Sequence, residues 1–579
     1  NLLNLYKNKN MINHIKKSKY IENKIPLRDP SKVMKLERLG SFHQSRLSFS
    51  RQLINEIVQN KWIFNISEWN INNDGIGHAV INSICNKNIF SLVIFSHSIQ
   101  DEERSDRVIA EKWDMTFSLF KGKPSKKEIT HMSENLKIQE LGRHLPKQLT
   151  LSRANKSVRI FEKVLDALSN GRQPDHNLIN DIGYLVRTTA VYGNGKFGIG
   201  DFSKMQNEHF LRKPFQAEML TVYLIRYFSI ELINFLSKVK GGLKAVKLSE
   251  TISKHIGVGN ATGLGMAPFL FNHQELLHQW IYAKETALSR VLSLDKISID
   301  KQSDIFNLIE QAYQYSVQWK VSDPIQYNKI KILNSDLQVI LKNINTKVIL
   351  NQSYPLKKLT NFFKDDISIE TEEILHSIFL EPFGNIIDDL INNMSVIEKN
   401  TVSINFNVKE IIKMIEKNYS WALDIDLKKD EENWFFWYTS QAKLEPRLGI
   451  RKKDKGFDKE LPFDIPHQIQ KGMVILRSLP NDMLGTEAML NYPELRNIIR
   501  RIIINNVSPY SEIQDNLIGF NSKPIDILRC KLSFFGASKY DPKSDLWTRI
   551  TLFQGAPLPH QLKEKDACNW LFPSLPIYN

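Results

Sequence analysis

Between Met219 and Leu236 the chain reads MLTVYLIRYFSIELINFL, eighteen residues interrupted only by Arg226 and Glu231. Two charges in so short a run argue against a membrane span and for a buried helix. Such a helix constrains the whole chain, because the remaining residues have to enclose it. Glu218 and Arg226 on that helix carry a further demand. An unpaired buried charge costs several kcal/mol, so each must be paired or functional, and structural pairing is the expectation. The chain is long enough to do the enclosing: 579 residues, 42% of them apolar, correspond to two to four domains at about 150 residues each. Short disulfide scaffolds, collagenous chains and wholly disordered chains are excluded.

Seventy-eight basic against 63 acidic residues leave a net charge of +15, which suggests a polyanionic partner. Its distribution weakens that inference. Residues 1–40 hold eight Lys and two Arg against Glu22, Asp29 and Glu37, a net of +7, so the other 539 residues are only mildly basic. Residues 1–40 read as a basic, disordered arm without a secretory hydrophobic region, with Met11 or Met34 as alternative starts. Cys85, Cys530 and Cys568 are widely spaced, with no CxxC pair and no zinc-like His spacing. They are expected to be buried or incidental thiols in a reducing, cytoplasmic setting. No uncharged apolar run of 18 residues occurs, so no membrane span is expected.

The hydrophobic pattern predicts a predominantly α-helical, α+β chain. A helix with Leu47, Leu53, Ile54 and Ile57 on one face leads into a small antiparallel β-meander: Trp62–Trp69, Ile76–Cys85 and Ile89–His97, separated by turns at Asn73-Asp74-Gly75 and Asn86–Asn88. This α+β unit is expected to cover 41–150. A helical domain with two glycine-rich loops follows over 151–325, including a helix from about Asn177 to Ala190 and another opened by Pro268. A helical region over 326–420 and a mixed, aromatic-rich region over 421–579 complete the chain. In the last, Asn433–Ser440 (NWFFWYTS) reads as a core hairpin.

Two glycine-rich segments are the best candidates for chemistry. In TTAVYGNGKFGIGD (Thr188–Asp201), Gly193, Gly195 and Gly198 match the dinucleotide fingerprint letter for letter. Its context disagrees, because the preceding segment reads as helix and no apolar helix follows directly. GVGNATGLGMAP (Gly257–Pro268) holds four glycines in nine positions before a proline-started helix. It lets a ligand approach backbone N–H groups closely. The bland alternative is a tight joint between packed helices.

The reading that follows is a soluble enzyme acting on a small anionic metabolite, a carboxylate or phosphate ester, held between segments 192–201 and 257–268. Arg187, Gly195, Gly259, Asn260, Thr262, Gly263 and Gly265 would hold the anion, with Arg447 offering a bidentate guanidinium. His273, Tyr192 and Lys196 are the candidate catalytic groups. No metal is called for, and the sequence names neither a reaction nor an organic cofactor. The alternatives are a nucleic-acid-associated protein using the basic arm and loop 448–460, and a non-enzymatic helical scaffold whose glycines serve packing.

Overall fold

The computed structural model describes residues 24–573, apart from 98, 100–112, 136–144, 194–210, 212, 264–272, 345–349, 393, 395–404, 430–436, 441–445, 449–459, 464, 515–523, 545–546 and 566. Twelve strands lie among the described residues: β1 Ile63–Ile71, β2 Gly77–Cys85, β3 Asn88–Ser96, β4 Met115–Lys121, β5 Thr150–Lys156, β6 Tyr184–Gly193, β7 Gly257–Gly263, β8 Trp437–Ser440, β9 Pro446–Leu448, β10 Glu460–Phe463, β11 Ala537–Ser544 and β12 Trp547–Leu552. Nine form one sheet in the order β1-β2-β3-β4-β5-β6-β7-β12-β11; β10-β8-β9 form a second. The protein is a mixed α+β fold.

The helix read from Met219–Leu236 extends over Gln216–Gly241 and is the axis of the molecule. It is long and apolar enough to cross a membrane, but 78% of its most apolar window is buried inside the fold. The sheet curls around it. Tyr223 packs edge-on against Phe64 in β1 and against Phe553 just after β12, so opposite ends of the strand order come within reach of one ring. Phe228 meets Trp69 of β1 and Phe117 of β4. An all-round apolar helix needs partners on every side, and a curved sheet supplies them with one concave face. The convex face buries a smaller cluster, Val80, Val93, Phe95, Phe120 and Leu151, beneath Ile129 and Met132 of helix Lys126–Asn135.

The meander was legible: β1, β2 and β3 pair in antiparallel register where the alternation and turns place them. Its extent was not. The sheet runs through the expected boundary at 150 and takes β5, β6 and β7 from the region read as a helical domain, then β11 and β12 from the C-terminal region. Non-local pairing of this kind leaves no local signature. A separate helical core, with Val408, Ile411, Ile469, Ile498, Ile499 and Ile502, spans the expected boundary at 420.

Three local expectations are corrected. The helix expected to Ala190 ends at Ile182, where Gly183 at φ +74 closes it and the β-branched run YLVRTTAVY becomes β6. GVGNATG is a strand, β7, and not a joint between helices. The part of the basic arm within the described residues, 24–40, is packed: Val33, Met34, Leu36 and Leu39 are fully buried. Its two arginines are engaged internally. Arg28 donates to both oxygens of Glu285 from Nη2 and Nε at 2.7 and 2.8 Å and from Nη1 to Glu373 at 2.6 Å. Arg38 bonds Glu372 and Glu373 at 2.9 and 2.8 Å. Lys284 bonds Glu373 at 2.9 Å and lies 3.8 Å over the Phe42 ring. One turn back on the helix Ile369–Leu380, Glu370 is clamped by both arms of Arg529. Burial alone would raise these carboxyls. At Glu373 the neighbouring Arg28 and Lys284 outweigh it, and at Glu370 Arg529 does, holding both below the usual carboxylate range.

Candidate functional site at the parallel strand pair

Within the nine-stranded sheet, β6 and β7 are parallel, and their described neighbours pair antiparallel. Parallel neighbours need a long crossover, and the central helix lies in the segment that connects these two. Tyr184 faces Gly257, Arg187 faces Gly259 and Thr188 faces Asn260 across the pair. Both strands therefore run to the same margin of the sheet and end at Gly193 and Gly263, where the two glycine-rich segments continue. In open sheets this position, outside the carboxyl ends of parallel strands, is where ligands bind. One objection to the dinucleotide fingerprint falls, since a strand does precede Gly193. The other objection, that no apolar helix follows directly, concerns residues 194–210, which lie outside the described residues.

The glycines of β7 have packing reasons. A Cβ on Gly257 would lie 2.4 Å from the Leu552 carbonyl oxygen, and one on Gly259 would strike the Tyr184 ring at 2.6 Å. Gly259 is thus the seat of Tyr184 and not an open cradle, which corrects its assignment as a ligand-binding position. Asn260 is buried and its side-chain amide donates to Thr188 Oγ1 at 3.0 Å, while the Thr188 hydroxyl donates to the Gly259 carbonyl at 3.3 Å. These bonds cross-link the pair. Arg187 is buried beside them on β6.

The remaining expected residues divide. Tyr192, Thr262 and Gly263 lie near the ends of β6 and β7, described in backbone position only. Gly195, Lys196 and Gly265 lie outside the described residues, as does most of loop 448–460. His273 precedes helix Gln274–Leu292, whose first residue bonds Glu512 at 3.3 Å. His278, one turn on, accepts the Tyr510 N–H at 3.2 Å and stacks on its ring; burial pushes it down to about 4, leaving it neutral at physiological pH. Arg447 is in β9, opposite Tyr438 of β8, in the other sheet. The structure therefore brings Arg187, Gly259 and Asn260 side by side, with Tyr192, Thr262 and Gly263 farther along the same strands, and places Arg447 in a different element.

The two charges of the central helix have opposite surroundings. They do not pair with each other, being eight residues and about 12 Å apart along the axis. Arg226 is fully enclosed and donates to the Ile256, Lys254, Ser253 and Pro557 carbonyls at 2.5, 2.8, 3.2 and 3.3 Å. It closes the C-terminal end of helix Glu250–His255, a structural role. Burial lowers it to about 10, so it stays charged. Glu218 is 3% exposed, and among the described residues neither carboxylate oxygen has a hydrogen-bond partner. Burial pushes its carboxyl up to about 7, opposed only by its own backbone N–H. The expectation that it is structurally paired is not met.

Glu218 stands in the first turn of the central helix. Thr221, three residues on and on the same helix face, meets Thr150 with hydroxyl oxygens 2.7 Å apart, and Thr150 is in register with Gly193. The unpartnered carboxyl is therefore carried beside the end of β6. The sequence marked Glu218 as a charge on an apolar helix; that it is the uncompensated one required the packing.

An open groove of about 350 Å3 lies elsewhere, lined by Tyr227, Glu231, Asn234, Lys247, Glu250 and His560. Its Glu250 is already bonded to His560 and Gln561 at 3.0 and 2.7 Å. Among the described residues no group of three His, Cys, Asp or Glu is placed to hold a metal ion. Comparison with protein-family models, with curated proteins and with solved structures finds no match.

Proposed function

We propose that this chain binds and acts on a small anionic metabolite, a carboxylate or phosphate ester, at the carboxyl ends of β6 and β7. The observation that supports the reading is the parallel register, by which β6 and β7, the strands that lead into the two glycine-rich segments, end at one margin of the sheet. Gly195, Lys196 and Gly198 on one segment and Gly263 and Gly265 on the other offer backbone N–H groups and a cation to the anion. Arg187, buried on β6, contributes positive charge behind them. Tyr192, Lys196 and His273 are the groups proposed to move a proton.

The scaffold reading has one observation in its favour, the filled contacts at Gly257 and Gly259. Those contacts account for two glycines of β7 and leave Gly193, Gly195, Gly198, Gly263 and Gly265 to be explained. The nucleic-acid reading loses Arg28 and Arg38, which are engaged by glutamates. A thermal-shift screen of anionic metabolites tests the proposal: a stabilising carboxylate or phosphate is expected, and Lys196→Ala should lose at least tenfold in its affinity while melting like the wild type. No hit, or a hit unaffected by Lys196→Ala, overturns it.

A further inference from the structure

We infer that Glu218 is the acceptor for a donor group on the ligand, so that the site takes a small anion which also carries a hydroxyl or ammonium group. The inference rests on the site reading above and assigns the second half of the ligand.

A buried polar group is kept only with a partner or for a purpose. Protonation does not relieve Glu218, because a protonated carboxyl still needs an acceptor for its O–H and both oxygens lack a partner among the described residues. Other buried carboxylates behave differently: Glu285, Glu370, Glu373, Glu381 and Glu512 each face an arginine, and Asp526 faces Lys329. Glu218 is thus singled out by composition of surroundings, not by burial. Its position gives the direction. Side chains on a helix lean toward the helix N-terminus, and Thr221 on the same face touches Thr150, the register partner of Gly193, so the carboxyl one turn earlier lies toward the end of β6. A donor arriving there would satisfy a group that the fold leaves open. The rise of its pKa to about 7 is consistent with a carboxyl awaiting a donor or cation.

The test uses the full chain and two triads of probes: ethyl, 2-hydroxyethyl and 2-aminoethyl phosphate, and propanoate, 3-hydroxypropanoate and 3-aminopropanoate, titrated calorimetrically at pH 8. The expected result is that in at least one triad a donor-bearing probe binds tenfold or more tightly than its donor-free parent. Glu218→Gln should erase that preference, while Lys196→Ala weakens all members alike. Melting curves supply a readout independent of any ligand: Glu218→Gln should melt above the wild type at pH 8.5, as expected when an uncompensated buried charge is removed. Equal binding of donor-bearing and donor-free probes overturns the inference, as does a preference retained in Glu218→Gln or a lower melting temperature of that variant at pH 8.5. A preference that survives Glu218→Gln while Lys196→Ala loses binding defeats this inference alone. Binding of no probe, with no hit in the wider screen, defeats the site reading and this inference together.

Discussion

Glu370 and Glu373 of helix Ile369–Leu380 are as buried as Glu218, which opens the central helix, yet they occupy the opposite electrostatic situation. Glu373 is shared among Arg28, Arg38 and Lys284, and Glu370 is held by Arg529. Glu218 has none of this. The first group joins distant parts of the chain: segment 24–40, helix Gln274–Leu292, helix Ile369–Leu380 and helix Pro524–Phe535 meet there. Charge in that region fastens the fold. At the central helix the same residue type is left uncompensated beside the end of β6. Burial by itself therefore says nothing about role, and partnership decides it.

The sharpest way to break the contrast is to remove the shared carboxylate. Glu373→Ala would leave Arg28, Arg38 and Lys284 crowded around a vacancy, and a loss of about 3–5 kcal/mol in chemical unfolding is expected for breaking a buried pair from one side. A loss below about 1 kcal/mol would mean that the cluster relaxes and does not fasten the segment.

The second effect is a slope with pH. Glu218 is raised from its ordinary range near 4.5 to about 7, so the folded state holds a proton that the unfolded state has released over that window. Its carboxyl contributes no penalty below about pH 4.5 and a full one above pH 7, roughly 3 kcal/mol at 1.36 kcal/mol per unit. Glu370 and Glu373, held low, act with the opposite sign: their stabilisation is present above the usual carboxylate range and fades in strong acid. Between pH 5 and 7.5 the wild type should lose stability relative to Glu218→Gln. Parallel curves would show that the Glu218 charge is compensated.

The smallest expected effect concerns packing behind the site. Gly259→Ala drives a methyl group into the Tyr184 ring, and a loss of about 1–3 kcal/mol is expected for overpacking. Adding Tyr184→Leu should recover part of it. Full tolerance of the single substitution would return Gly259 to the ligand-facing role expected from sequence.

Much of the secondary structure was legible, where one element carries its own pattern. The turns at Asn73-Asp74-Gly75 and Asn86–Asn88 and the alternation around them define β1 to β3. The stop at Asn170-Gly171 closes the helix Phe161–Ser169, with Gly171 at φ +75. Misreading came where a local pattern was ambiguous or overridden. YLVRTTAVY suits a strand as well as a buried helix, and GVGNATG lacks the side chains that mark a strand. Its glycines answer to Tyr184 and Leu552, one of them nearly 300 residues away. The basic arm read as disordered because the groups that hold its arginines, Glu285, Glu372 and Glu373, lie more than 250 residues away in sequence.

The sequence alone determined that an apolar helix around Met219–Leu236 must be enclosed, that Glu218 and Arg226 on it needed an explanation, and that two glycine-rich segments stood out as candidates. Those conclusions depend on side-chain hydrophobicity, charge and glycine content, which are properties of short stretches. Only the tertiary structure decided that the sheet curls around that helix, that β6 and β7 run parallel and end at one margin, and that carbonyls satisfy the demand of Arg226 while Glu218 stays open. Those outcomes depend on which distant groups come within hydrogen-bond reach, and no local pattern encodes a contact between strands or charges hundreds of residues apart.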